Sequence, residues 1–428
     1  MLGRVVKQSL LTMMYRFRFL FIFAFLLFFS LNRHSKAGVF NYHSEIWADK
    51  AGYNVYLPAL FIYNFEAKNF PDSVDFKTGE GFLLNKNTNK VITKYPYGVA
   101  LLQSPFWLVA HFLAKEKTGF SKAYHKAIDV AAVFYFTLGI FFLDKTLLLR
   151  RQKSSKSNRV GWWAMILSIL GTSVFYYGVY ETGMSHIYSF AVFTAILFFL
   201  QKEKIGVTLL ILSILALIIR PINVIFLVPI LILFNNDDFE KIKQRLSNIF
   251  TVKNIILVSF LLFFIFLPQI LYNQYAFGSF FVNSYQNEGF IFLTNPKISE
   301  VLFAPNNGLF LYNPLLLLIF GFLFFKGRKI ENGLPLLVLL LYTILYSTWW
   351  SYNLGCGFGH RAFVDIMPIF VVSFAGFLEE KKSKIYLIIA VFCMIFTMKL
   401  MLSFDTCFFR VNDWDWNGFL ELLKGKIK

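Results

Sequence analysis

A short acidic segment near the start of the chain contains residues that fit general-base chemistry. Read as a helix, residues 45–58 place Glu45, Asp49, Tyr53 and Tyr56 on one face. A carboxylate beside ring hydroxyls is able to take a proton from a hydroxyl or an amine. The competing interpretation is a solvated charge on a surface helix, which the carboxylate alone does not exclude.

Two further segments carry cations that are able to hold an anion such as a phosphate. Lys94 and Tyr95 precede the apolar stretch 97–113, and Arg220 stands with Asn223 between two apolar runs. The competing interpretations are a loop lysine near anionic lipid headgroups and an arginine that reaches the membrane surface.

The segment 349–368 gives the richest combination of chemical groups. Two tryptophans mark a membrane interface, and three glycines allow a ligand to approach the backbone closely. Tyr352 lies among them, and His360 and Arg361 follow, with Asp365 one helical turn further on. We favour a functional site here. An aromatic belt with an Arg361–Asp365 ion pair is the competing interpretation.

A tight turn at residues 180–186 brings Glu181 and His186 close to apolar runs. Charged groups at such a position are costly unless they are used or paired. A helix cap formed by Thr182 or Ser185 explains the turn equally well. The proline- and glycine-bearing loop 304–314 is explained adequately by structure alone.

The composition of the whole chain predicts an integral membrane protein. Of its 428 residues, 57% are hydrophobic and 15% are charged, and the mean hydropathy is +0.58. Soluble domains have about a quarter of their residues charged. This composition excludes a disordered chain, a disulfide scaffold and an ordinary water-soluble enzyme.

Apolar runs separated by short polar loops predict eleven transmembrane helices. The runs are 19–31, 127–149, 161–180, 186–201, 205–219, 221–234, 255–275, 309–325, 333–350, 362–378 and 384–403. Basic residues collect in every second loop, which predicts that these loops and the N-terminus are cytoplasmic. These residues include Arg150, Arg151, Lys153, Lys202, Lys204, Lys241, Lys243, Arg245, Lys326, Arg328, Lys329, Lys381, Lys382 and Lys384. The net charge of +18 then reflects topology, and we expect no nucleic-acid partner.

The predicted topology collects the polar segments on the outer face. The long first loop, 32–126, contains the stretch 97–113, which we interpret as an interfacial helix. The C-terminal tail, 404–428, is also predicted to be outside. The two short runs around Arg220 are interpreted as a pair that turns there, and one long broken segment is the alternative. The chain is therefore predicted to form one polytopic membrane domain, 1–428.

The sequence gives little sign of a metal site or a disulfide framework. HExxH and CxxC spacings are absent, and the DxD spacing of Asp413 and Asp415 occurs only in the tail. Cys356 and Cys407 fall on the same predicted side, so a disulfide is open to them. Two unpaired thiols are the interpretation that we favour.

The order and sidedness of these segments resemble the GT-C class of integral-membrane glycosyltransferases, which use polyprenyl-phosphate-linked sugars. Asp49 with Tyr53 and Tyr56 resembles the acidic start of that class's first outer loop. Residues 94–98 resemble its proline-bearing motif. Residues 306–314 and 350–361 resemble later outer motifs of the bacterial protein mannosyltransferase and lipid A aminoarabinose transferase branches. The resemblance covers most of the chain, although none of these motifs is a strict signature.

The resemblance implies an all-α membrane fold of about eleven helices, with interfacial helices in the first outer loop, in a bacterial plasma membrane. It implies an inverting sugar transfer in which Asp49 is the general base. Arg361, Lys94, Arg220 and His360 would bind the donor phosphate. The residues that would bind sugar or acceptor are Glu45, Tyr53, Tyr56, Tyr95, Glu181, His186 and Tyr352.

The resemblance also implies the partners, which are a polyprenyl-phosphate-linked sugar, membrane lipids and an acceptor of unknown identity. Asp49 is flanked by Ala48 and Lys50 and not by a second acid, so a divalent metal is not indicated. Two other classes stay open. One is a multi-pass transporter or lipid flippase, and the other is a non-catalytic membrane subunit.

Overall fold

The computed structural model describes residues 2–32, 40–152, 159–203, 206–235, 238–286, 288–326, 330–380, 384–404 and 412–425. Helices make up 71% of the structure, so the predicted all-α class is correct. Some residues singled out in the sequence lie outside the described ranges: Lys153, Lys204, Arg328, Lys329, Lys381, Lys382 and Cys407.

The first helices belong to the N-terminal apolar run, the first loop and the three apolar runs that follow. They are α1 (Leu2–Asn32), α2 (Asp49–Asn54), α3 (Tyr56–Phe61), α4 (Val74–Lys77), α5 (Gly98–Leu113), α6 (Lys122–Gln152), α7 (Arg159–Leu170), α8 (Val174–Val179) and α9 (Ser185–Gln201).

The remaining helices continue to the C-terminal tail. They are α10 (Val207–Ile219), α11 (Val224–Leu233), α12 (Phe239–Ile249), α13 (Val252–Phe277), α14 (Ile298–Phe303), α15 (Leu309–Tyr312), α16 (Leu315–Lys326), α17 (Ile330–Ser347), α18 (Met367–Glu380), α19 (Lys384–Ser403) and α20 (Trp416–Lys424). A 3₁₀ turn, Arg361–Ile366, leads directly into α18.

Four helices in the described ranges are long and apolar enough to cross a membrane. They are Lys122–Gln152, Val252–Phe277, Arg361–Glu379 and Lys384–Ser403. The other predicted runs form shorter apolar helices, so the count of eleven spans stays a prediction. The surface of α13 is apolar and open, with Phe260, Phe263 and Phe264 all more than half exposed. Such a surface is compatible with contact to lipid.

Helices α10 and α11 turn back on each other at Arg220. Gln201, at the end of α9, accepts a 3.0 Å hydrogen bond from Asn235, which follows α11. Helix α10 begins soon after α9, so α10 and α11 return to the same end of the molecule. The pair that turns at Arg220 is therefore correct, and the single broken segment is wrong.

Two predicted spans are interrupted helices. The run 161–180 is divided between α7 and α8, and the run 309–325 is divided at Asn313. The Asn313 side chain accepts a 2.6 Å bond from the Ser173 backbone N–H, and Thr397 donates to the Gly171 and Tyr312 carbonyls. The Asn313–Ser173 bond links the two breaks, and Thr397 of α19 bonds a carbonyl in each of them, so that buried non-helical backbone is satisfied.

The first loop forms a small packed unit of its own. The stretch 72–94, predicted as an ordered loop, contains α4 and a two-stranded antiparallel hairpin, β1 (Leu83–Asn85) and β2 (Lys90–Ile92). The hydroxyl of Tyr272 on α13 accepts from the Thr93 backbone N–H at 2.6 Å, which ties the loop to the helices. Helix α5 covers 98–113, where the interfacial helix was predicted.

The tail packs against loops that were predicted to lie outside. Asp413 accepts hydrogen bonds from Asn306, Asn353 and the Tyr352 hydroxyl, so the tail contacts the same loops that the sequence places outside. Cys356 is disulfide-bonded, and the interpretation of it as a free thiol is wrong. Cys393 is a free cysteine.

Candidate active site

A cavity of about 780 Å³ lies where the predicted outer segments meet. Its walls come from the start of α2, the Lys94–Tyr95 segment, the turn before α9, the turn at Arg220, residues 282–285, 288 and 290, and the segment 349–361. Segments far apart in the chain thus contribute to one site. The sequence predicted these segments on one face, and the structure brings them together.

Asp49 and Arg361 form an ion pair in this cavity. Arg361 Nη2 lies 2.7 Å from Asp49 Oδ2, and the Tyr95 hydroxyl donates to Asp49 Oδ1 at 2.6 Å. The Asp49 side chain is 31% exposed and that of Arg361 is 19% exposed, so both face the open cavity. Both carboxylate oxygens therefore accept a bond in the resting site.

The local backbone that presents Asp49 is strained and closely packed. Ala48, just before α2, has a φ of +49°, in the left-handed region that favours glycine. Gly81 lies against it, and a Cβ at Gly81 would come within 1.7 Å of the Ala48 carbonyl oxygen. At Gly52 a Cβ would come within 2.4 Å of the Tyr95 ring. These glycines therefore let α2 approach Tyr95, which brings Asp49 to its hydroxyl.

The electrostatics of Asp49 follow from these neighbours. Burial raises the pKa of the Asp49 carboxyl. Its neighbours have the opposite and larger effect, so the pKa lies below its usual value. These neighbours are the Arg361 charge, the hydrogen bond from Tyr95, and the charges of Lys94 and His186. Burial and the adjacent Asp49 charge raise the pKa of Tyr95 well above its usual value. Asp49 is therefore a carboxylate near neutral pH, and Tyr95 is a neutral hydrogen-bond donor.

A second arginine is held more firmly at the base of the cavity. Arg220 pairs with Asp365, whose side chain has no exposed surface. The Nη2 atom of Arg220 also donates a hydrogen bond to the Tyr346 hydroxyl at 3.0 Å. His186 Nδ1 lies 3.0 Å from Asp365 Oδ1. Asp365 therefore bonds to Arg220 and His186, and the alternative Arg361–Asp365 pair is not formed.

Two lysines that line the cavity are also paired. Lys50 Nζ lies 2.8 Å from Glu181 Oε2, and Lys94 pairs with Glu288. The Lys94 ammonium also lies over the rings of Tyr95 and Tyr285, at 5.5 and 5.3 Å from their centres. Each lysine or arginine among the described lining residues therefore has an acidic partner, and the resting cavity is close to neutral.

Eight of the predicted site residues line the cavity. They are Asp49, Tyr53, Lys94, Tyr95, Glu181, His186, Arg220 and Arg361. Within this group the Tyr53 hydroxyl accepts a hydrogen bond from Ser185 Oγ at 3.1 Å. Its ring centre lies 4.4 Å from that of Tyr95.

Four predicted residues lie outside the cavity wall. Glu45 is buried, 3.0 Å from His125 Nδ1, and Tyr56 donates to the Tyr95 carbonyl. His360 is fully buried and bonds to the Tyr352 carbonyl at 2.8 Å, while the Tyr352 hydroxyl donates to the tail. The structure gives these four side chains positioning contacts and no face on the cavity.

Sequence reasoning missed the acids and rings that complete the wall. Lys50 was noted only as a neighbour of Asp49, and Glu288 and Tyr285 were not singled out. Acidic residues are rare in the loop 276–308, which was predicted to lie outside, and Glu288 could have been singled out for that reason. The pairing of Asp365 with Arg220 had no signal, because 145 residues separate them.

No group of three or more His, Cys, Asp or Glu side chains within the described ranges is arranged to hold a metal ion. Both acids of the DxD pair in the tail accept hydrogen bonds from other parts of the protein. Asp413 accepts from Asn306, and Asp415 caps α20 by accepting from the Gly418 backbone N–H at 2.9 Å.

Comparisons of the chain with family models, with curated proteins and with solved structures found no match.

Proposed function

We propose that this protein is an inverting glycosyltransferase that moves a sugar from a polyprenyl-phosphate donor to an extracytoplasmic acceptor. The observation that carries the proposal is the pairing of Asp49 with Arg361 in a cavity of about 780 Å³. Sugar transfer from a lipid phosphate needs a base for the acceptor and a cation for the leaving phosphate. This pair supplies both within one site.

The proposal includes a setting in the membrane. Eleven spans, with the N-terminus in the cytoplasm of a bacterium, would put the cavity at the outer face of the plasma membrane. The apolar helices and the open apolar surface of α13 support this setting. A lipid-linked donor is the substrate class that suits it, because the lipid stays in the bilayer while its headgroup enters the cavity.

In the proposed reaction, the acceptor oxygen or nitrogen attacks the anomeric carbon and loses its proton to Asp49. The bond between that carbon and the phosphate oxygen breaks, and its electron pair stays on the phosphate. A positioned base contributes about 10²–10⁴-fold to such a step. Attack from the side opposite the phosphate inverts the configuration of the anomeric carbon.

Fixed cations serve the developing charge on the phosphate. Arg361 is the proposed main ligand, because a guanidinium binds phosphate through two parallel hydrogen bonds. Lys94 and Arg220 line the same cavity as further proposed ligands of the phosphate, and each is paired with an acidic residue in the resting site. Tyr53, Glu181 and His186 also line it and present hydroxyl, carboxylate and imidazole groups to the sugar or acceptor. The buried Glu45, Tyr56 and His360 and the partly buried Tyr352 would position these segments.

A donor panel tests the proposal. The full chain is reconstituted in liposomes with a set of polyprenyl-phosphate sugars, and release of polyprenyl phosphate is measured for each. We expect release from at least one donor, with transfer of its sugar. Movement of a lipid across the bilayer without bond cleavage would instead indicate a transporter or flippase. Activity that appears only with a second chain would indicate a subunit.

A further inference from the structure

Arg361 differs from Arg220, the other arginine that lines the cavity, in how it is held. Within the described part of the chain its guanidinium bonds to Asp49 alone, whereas Arg220 has Asp365, His186 and Tyr346 around it. A guanidinium carries five N–H donors, so most of those of Arg361 remain for a ligand. Of the two arginines, Arg361 is therefore the one better able to accept a second anion.

The ion pair of Arg361 is also the kind that exchanges readily. Its two side chains are 19% and 31% exposed to the cavity, whereas Asp365 has no exposed surface. Ion pairs that remain in contact with water contribute little stability, while buried pairs are costly to break. The Asp49–Arg361 pair is therefore the one that an incoming phosphate would break at lower cost, whereas breaking the Asp365–Arg220 pair would leave an uncompensated buried charge.

Resting on the proposed function, we propose that Arg361 exchanges partners during the reaction, from the carboxylate of Asp49 to the phosphate of the lipid donor. The donor phosphodiester carries one negative charge and the released monoester carries two. Asp49 loses its charge as it takes the proton from the acceptor. The charge of the cavity is therefore the same before and after transfer, with Arg361 neutralising first the base and then the leaving group.

The exchange orders the two substrates. In the resting site Arg361 and Tyr95 occupy both Asp49 oxygens, and their effect on the Asp49 pKa makes the carboxylate a weak base. When the phosphate takes Arg361, the Asp49 oxygen nearest to it is free for the acceptor proton. Asp49 thus becomes a competent base only after the donor is bound.

Binding of farnesyl phosphate to the purified full chain in detergent tests this exchange, with farnesol as the control for the lipid tail. The variant Asp49→Asn removes the carboxylate that competes for Arg361 and keeps an oxygen for the Tyr95 hydroxyl. We expect it to bind farnesyl phosphate roughly three- to tenfold more tightly than the wild type, because a weak ion pair no longer competes. Thermal unfolding in the same detergent checks that each variant is folded.

Two further variants separate exchange from a general change in charge. Glu181→Gln removes one negative charge from the same cavity beside a different cation, and we expect no comparable gain. Arg361→Gln weakens binding, and Asp49→Asn added to it gives no gain. An unchanged or weaker affinity in Asp49→Asn, an equal gain in Glu181→Gln, or a gain that persists without Arg361 would each overturn the exchange.

The same assay distinguishes failure of the exchange from failure of the proposed function. A wild type that binds farnesyl phosphate better than farnesol, but without the gain in Asp49→Asn, removes the exchange and keeps the phosphate site. A wild type and variants that bind farnesyl phosphate no better than farnesol remove the phosphate site itself, and the exchange with it.

Discussion

At the scale of single residues, the chemistry depends on how Asp49 is surrounded. Its carboxylate lies between the cation of Arg361 and the phenol of Tyr95, and it also faces the ammonium of Lys94. Burial alone would favour the protonated acid, and these neighbours reverse that preference. Asp49 is therefore ionised over the neutral pH range without a second carboxylate beside it, and it becomes a competent base once Arg361 has moved to the donor phosphate.

The hydrogen bond from Tyr95 gives a pH-dependent prediction. Tyr95→Phe keeps the ring against Gly52 but removes one of the interactions that lower the Asp49 pKa. The pKa of Asp49 then rises, so the carboxylate becomes protonated at a higher pH than in the wild type. We expect the acid limb of the pH profile of kcat/KM, which reports groups of the free enzyme, to move to higher pH. An acid limb that stays in place or moves to lower pH would show that Tyr95 does not act on Asp49.

At this scale, sequence identified single chemical groups better than their partners. Asp49, Lys94, Arg220 and Arg361 were expected on one face, and all four line the cavity. Their acidic partners come from other segments and were found only in the structure. Helical spacing suggested Asp365, four residues away, as a partner of Arg361, whereas the structure pairs Arg361 with Asp49. Spacing along the chain reveals only partners that are close in sequence.

At the scale of elements, the short helix α2 is the part that aims Asp49. The sequence predicted a continuous helix over 45–58, and the structure corrects this to α2 and α3, with Glu45 before both. The left-handed backbone of Ala48 prevents the helix from beginning earlier. That conformation is enforced by contacts with residues 78–81, which the local pattern of residues 45–58 does not reveal.

The contact between Ala48 and Gly81 gives a prediction for this element. In Gly81→Ala the new methyl group would overlap the Ala48 carbonyl, so α2 must shift and Asp49 must move relative to Tyr95 and Arg361. Overpacking of this kind costs about 1–3 kcal/mol. We expect thermal stability in detergent to fall and transfer activity to fall more than tenfold.

Gly376→Ala is the matched control, because nothing lies within 4 Å of a Cβ at this position in α18. The thermal stability and the transfer activity of Gly376→Ala should both stay near those of the wild type. If Gly81→Ala were as active as Gly376→Ala, this packing would not control the position of Asp49.

At the scale of the whole molecule, the pattern of apolar runs predicted most of the helices. Hydropathy locates such helices because every backbone polar group in lipid must bond internally. The breaks near Gly171 and Asn313 were missed, since both lie in continuous apolar runs. Each break is satisfied by side chains from another helix, and such long-range partners cannot be read from local hydropathy.

The topology itself gives a prediction. Thr88 lies on the exposed turn of the hairpin in the first loop, and Ser247 lies on an exposed face of α12. Each is replaced by cysteine in a separate variant, Thr88→Cys or Ser247→Cys. We expect a membrane-impermeant maleimide to label Thr88→Cys in intact cells and to label Ser247→Cys only after permeabilisation. The wild type gives the background from its own cysteines. The opposite pattern of labelling would invert the topology and exclude an extracytoplasmic cavity.

The central claim is that Asp49 is the base of sugar transfer, and the most direct test is the rate of polyprenyl phosphate release by Asp49→Asn. The donor is one that the wild type uses in the liposome panel. Asp72→Asn, on an acid exposed elsewhere in the same loop, is the control and should release polyprenyl phosphate at the wild-type rate. The account predicts a loss of about 10²-fold or more in Asp49→Asn, with the fold retained. Release by Asp49→Asn at a rate near that of the wild type would contradict it.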